Sequence, residues 1–118
     1  MPNLSQTSID QAIVAHADWR RRLEQSIQER GQGLQVGTVA ADDRCELGRL
    51  LASLPEAEDD ADLRQLRCEH TRFHEHAARI VQMAIEGRVA AANRALQGEY
   101  ELISAELVRL LRTCGAGA

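Results

Sequence analysis

The sequence predicts an all-α protein, an antiparallel four-helix bundle, on three observations. Aromatic residues make up only 3% of the 118, so the core must be assembled from Leu, Ile, Val and Ala. Ala and Leu favour helix over strand, and only two prolines interrupt the chain. Apolar residues also recur at spacings of three and four in four separate stretches, the period of a helix with one buried face. A chain of this length suits one domain, residues 1–118, with a single core.

The first stretch predicts a helix over about residues 9–30, with Ile9, Ala12, Ile13, His16, Leu23 and Ile27 on one stripe and Ser8 as its N-cap. Gly31-Gln32-Gly33 ends it, and a loose segment runs on through Gly37. A second helix is expected over about 40–53, its apolar positions Leu47, Leu50, Leu51 and Leu54. Pro55 and the acidic run Glu58-Asp59-Asp60 make a loop. A third helix follows over 61–86, with Asp60 as cap and Asp62 at its positive end. Its inner face reads Leu63, Leu66, His70, Phe73, Ala77, Ile80, Val81 and Ala84, up to Gly87. The fourth is expected over 88–113 with Val89, Ala92, Leu96, Ile103, Leu107, Leu110 and Leu111, before a frayed Gly115-Ala116-Gly117-Ala118. Short connections make neighbouring helices antiparallel.

Composition excludes several classes. The net charge is −4 with no basic stripe, which argues against a nucleic-acid partner. Arg20-Arg21-Arg22 sits between Asp18 and Glu24, as on a solvated helix face. No stretch approaches the roughly 18 apolar residues of a membrane span, so no membrane insertion is expected. The start, Met1-Pro2-Asn3-Leu4-Ser5-Gln6, lacks the charged and apolar regions of a signal peptide. Cys45, Cys68 and Cys114 are an odd number, widely spaced. They make a poor disulfide framework and point to a reducing cytoplasm with thiols free for metal or redox work.

The chemistry lies in inward-facing histidines. His70 and His74 are four apart, about 40° around a helix, so both project from one face. His16 occupies the apolar stripe of the first helix. Imidazoles buried among aliphatics must satisfy both nitrogens or forfeit roughly 1–3 kcal/mol per unpaired group. Three buried together need a shared partner, and a metal supplies one. Closed zinc sites take four ligands in a tetrahedron, commonly mixed Cys and His. Cys68 lies about 200° from His70 and points away from the pair, and Cys114 sits at the frayed end. Cys45 is the best candidate for the fourth ligand, in a site between the first, second and third helices.

Three segments then carry a resemblance. His16-Ala17-Asp18-Trp19-Arg20-Arg21-Arg22-Leu23, Cys45-Glu46-Leu47-Gly48 and His70-Thr71-Arg72-Phe73-His74 resemble, in order, the signatures of the chemoreceptor zinc-binding (CZB) domain. The family usually has an aromatic residue soon after the Gly, where this chain has Arg49-Leu50-Leu51, a packing position that does not ligate. The resemblance implies Zn2+ held by His16, Cys45, His70 and His74. It implies a non-enzymatic regulatory module of bacterial signal transduction, in chemotaxis or cyclic-di-GMP control. It also favours a homodimer working with a bacterial signalling protein or an appended effector domain such as a diguanylate cyclase.

Metal-bound Cys45 is held as a thiolate, the form that two-electron oxidants attack, so redox sensing is a further expectation. Two other readings compete: a structural, zinc-stabilised dimerisation bundle, and a hemerythrin-like metal-binding protein. Against the latter, no inward Glu accompanies His70 and His74, as a di-iron site requires, and a Cys45 ligand closes the position a hydrolytic zinc keeps for water. Trp19 and Phe73 are expected as core packing beside the site, His76 as solvated and Cys68 as partly buried. Asp42, Asp43, Glu46 and Glu69 are candidates to hydrogen-bond a ligating imidazole.

Overall fold

In the computed structural model, which describes residues 6–32, 34–40 and 61–116, every regular element is helical. We number them α1 (Gln6–Gln28), α2 (Val36–Ala40), α3 (Ala61–Ile85), α4 (Val89–Gln97) and α5 (Glu99–Ala116). The all-α class read from the sequence is the class observed. The expected second helix over 40–53 lies outside the described residues.

α1 starts at Gln6, so Ser8 lies inside the first turn and does not precede it. Its end follows from two left-handed residues, Arg30 at φ 56° and Gly31 at φ 85°. The Gly31 N–H reaches back to the Ser26 carbonyl at 2.7 Å and the Arg30 N–H to that of Ile27 at 3.2 Å. That pair of bonds is a Schellman end, which satisfies carbonyls the helix would otherwise leave open. α3 stops in the same way. Gly87 at φ 78° donates to Ala84 and Arg88 donates to Met83.

The three long arms bury one stripe each. α1 contributes Ile9, Ala12, Leu23 and Ile27, and α3 contributes Leu63, Leu66, Phe73, Ala77, Ile80, Val81 and Ala84. The last arm adds Ala92, Leu96, Tyr100, Ile103, Leu107, Leu110 and Leu111. Each large aliphatic side chain withdrawn from water contributes about 1.5–3 kcal/mol. Val89, expected on the inner stripe, is instead exposed.

α1 and α3 run in the same direction. His16 sits beside His70 and His74, and a Cβ on Gly31 would fall 2.2 Å from Ile85 Cγ1 and 3.1 Å from its backbone nitrogen. The middle of α1 therefore meets the middle of α3, and the C-terminal end of α1 rests on the last residue of α3. α5 returns antiparallel, with Tyr100 against Phe73 and Arg20 ion-paired to Glu101.

The stretch expected as one helix over 88–113 is divided at Gly98. This residue takes φ −105°, ψ −102°, outside the helical basin, and a Cβ there would lie 3.0 Å from the Arg94 carbonyl. Glycine tolerates that geometry and weakens a helix interior, so the break falls where the side chain is missing. Beyond it α5 continues to Ala116, three residues past the expected stop.

Candidate metal centre

α1 and α3 each deliver histidine to one point because the helical period places those positions on the inner stripe. His16, His70 and His74 are 3%, 2% and 1% exposed. One ring nitrogen from each lies within 4.8 Å of the others. His70 Nε2 and His74 Nε2 are 3.1 Å apart.

Backbone carbonyls decide which nitrogens face inward. A carbonyl oxygen can only accept, so the His16 Nδ1–H donates to Ala12 at 2.8 Å, and the His74 Nδ1–H donates to Val39 at 2.9 Å. In both rings the proton is on Nδ1 and the lone pair on Nε2. His16 Nε2 is buried with no hydrogen-bond partner among the described residues. Left so, it costs about 1–3 kcal/mol; bound to a cation, it costs nothing. Histidines that ligate metals characteristically donate their other N–H to a backbone carbonyl or carboxylate, which fixes the ring and its tautomer.

The dimensions suit zinc. With Zn–N bonds of about 2.0–2.1 Å, tetrahedral ligand nitrogens stand about 3.3 Å apart. The shortest nitrogen pair already has nearly that separation. Burial holds the His16 pKa down at about 4, the carbonyl of Ala12 opposing and the charge on His74 adding to the depression. His16 is therefore a neutral imidazole at neutral pH, the form that ligates.

Aromatic rings wall the cluster. Phe73, fully buried, lies edge-on to His16 at 4.6 Å between centroids and 5.4 Å from His74. Trp19 is 5.8 Å from His74 and carries the Arg22 guanidinium over its ring at 4.3 Å. Both expected packing roles are found there. Cys45, with Asp42, Asp43 and Glu46, lies outside the described residues. Glu69 pairs with Arg72 at 2.8 Å. Two expectations about nearby residues need correction. Cys68 is exposed because the inner stripe of α3 passes on its opposite side. His76 is not simply solvated, since it pairs with Glu99 of α5 at 3.2 Å.

The sequence profile of the chemoreceptor zinc-binding domain matches residues 16–81, more than half of the chain. The chain belongs to the chemoreceptor zinc-binding domain family. The CZB match opens on His16 and takes in His70 and His74, and zinc is the metal of this family. No curated protein and no solved structure matches the chain.

Sequence reasoning missed the two carbonyls and one side chain of this CZB centre. Nothing in a residue type marks a carbonyl as an imidazole acceptor, so Ala12 and Val39 left no signal. Tyr100, 1% exposed and packed on Phe73 at 5.2 Å, did leave one. It lies on the stripe Leu96, Tyr100, Ile103, Leu107 at helical spacing.

Proposed function

We propose that this CZB chain is a zinc-sensing regulatory module of bacterial signal transduction, acting in chemotaxis or cyclic-di-GMP control and catalysing no reaction itself. His16, His70 and His74 supply three neutral nitrogens, and Cys45 supplies a thiolate from the segment between α2 and α3. The observation that carries this reading is the carbonyl-fixed pair of Nε2 lone pairs, His16 and His74, converging with His70 in a buried, aromatic-walled pocket.

When bound, zinc supplies a structural cross-link among segments that are distant in sequence. The residues do the rest. His16 commits α1 to the cluster, His74 holds α2 through Val39, and Cys45 ties in the segment that follows. Occupancy is thereby converted into helix packing, which a partner or appended effector reads. No helix among the described residues is long and apolar enough to cross a membrane. We place the module in the cytoplasm, where its thiols stay reduced. The family resemblance further supports a homodimer, which light scattering tests directly.

Metal analysis of protein purified without added metal tests the site. Close to one zinc per chain is expected, lost in His70→Ala or His74→Ala and retained in His76→Ala and Cys68→Ala. Metal content that survives loss of both His70 and His74 overturns the assignment. Signalling output that ignores zinc removal leaves zinc a structural role only.

A further inference from the structure

The centre is walled by more than the helices that ligate. α5 contributes none of the candidate ligands, yet its first turn reaches the site through a chain of ring contacts. Tyr100 meets Phe73 at 5.2 Å with the planes tilted by 43°, and Phe73 meets His16 edge-on at 4.6 Å. Both aromatic residues are at most 1% exposed. The Tyr100 hydroxyl is buried without a hydrogen-bond partner among the described residues, so none of them anchors this side chain by its polar atom. Ring packing holds it.

His16 is the ligand most in need of such backing. It comes from a different helix than His70 and His74, and its own fixed contact is the bond to Ala12 one turn back on α1. That bond sets the ring's direction relative to α1 alone. Phe73 relates it to α3, and Tyr100 sits on Phe73.

We propose that Tyr100 is a positioning residue for this metal centre: from α5 it backs Phe73, and Phe73 in turn holds the His16 ring so that its free nitrogen converges with His70 and His74. Interactions of this indirect kind commonly change metal affinity by about 10–100-fold, because a ligand allowed to swing must be ordered anew on each binding event. The hydroxyl is dispensable and the ring is not. By linkage the effect runs both ways, and zinc capture by His16 tightens the first turn of α5.

The inference rests on the proposed zinc site, and the experiment separates the two. Zinc affinity is measured by chelator competition, and coordination geometry by the visible absorption of the cobalt(II)-loaded protein. Tyr100→Phe should match the parent in both. Tyr100→Leu should lose about tenfold or more in affinity and shift the cobalt bands. Leu107→Ala, a fully buried change two turns along α5, should lower thermal stability without moving either readout. Hydrogen exchange on the unaltered chain gives a measurement free of folding defects, with amides of Leu102 and Ile103 slowing when zinc is added. Parental affinity and bands in Tyr100→Leu, an equal loss in Leu107→Ala, or zinc-independent exchange at those amides each overturns the positioning role. An unaltered chain that takes up no metal through its histidines overturns the site itself.

Discussion

His74 Nδ1 donates to the Val39 carbonyl across 35 positions of sequence, at 2.9 Å and out of reach of water. A single imidazole thus holds α2 on one side while offering its other nitrogen to the metal centre on the other. His74→Ala should cost metal-free protein about 1–3 kcal/mol in urea denaturation, because the Val39 carbonyl is left buried without its donor. Hydrogen exchange should quicken over residues 36–40 in that variant. Unchanged exchange there would show that α2 is held by Leu34, Val36 and Val39 packing alone.

Acid should weaken the metal-free fold through His16. Its folded pKa is about 4 against 6.5 in the unfolded chain, so between those values the unfolded state binds more protons. Stability should fall as pH drops from 6.5 towards 4 and lose nothing further from this group well below 4. The full effect is about 3 kcal/mol. His16→Leu should flatten that part of the pH profile and lose zinc binding as well. A His16→Leu profile parallel to the parent's, measured by denaturant midpoint in chelator, contradicts the burial argument.

Arg30 is a left-handed residue with a side chain, at φ 56°. The αL conformation costs a non-glycine residue roughly 1–2 kcal/mol, partly offset by the freer unfolded chain that glycine brings. Arg30→Gly should therefore stabilise the protein by about 0.5–1 kcal/mol without altering zinc content. Gly31→Ala should do the reverse, since its Cβ would meet both the side chain and the backbone of Ile85. Calorimetry of the two variants checks both signs.

Cys45 is the expected site of oxidation. As a zinc-held thiolate it should react with hypochlorous acid first, the sulfur losing two electrons to give a sulfenic acid while the chlorine leaves as chloride. A sulfenate is the poorer ligand, and a zinc dye should report faster release. Mass spectrometry that finds Cys68 or Cys114 modified first, with zinc retained, leaves zinc sensing without a redox arm. Cys68 is the stringent comparison because it is exposed.

Much of this was legible before any coordinates. The inner face of α3 follows directly from the 3.6-residue period, and the same period placed His16, His70 and His74 inside. Gly87 marked the end of α3 because a left-handed terminus selects glycine. The equivalent terminus of α1 was harder to locate, since arginine occupies the first left-handed position and glycine only the second. Gly98 was passed over because one glycine within a strong apolar period does not by itself announce a break. Val36 and Gly37 were read as loose chain before a helix from about residue 40, whereas a helical turn already spans Val36–Ala40 and packs through Leu34, Val36 and Val39. The Val39 acceptor and the Tyr100 wall arise from how helices meet, which local pattern does not encode.

The contact between Gly31 and Ile85 gives α1 a fulcrum. With no side chain between them, the end of α1 bears on the last turn of α3, while His16 stands about 18 Å back along the helix axis from Gln28. Over such an arm, a tilt of about 3° carries the His16 ring about 1 Å, half the length of a zinc–nitrogen bond. The pivot need not slide, unwind or lose its packing for the His16 ring to let go. α1 can thus act as a stiff pointer whose pivot lies about 18 Å along the helix from its load.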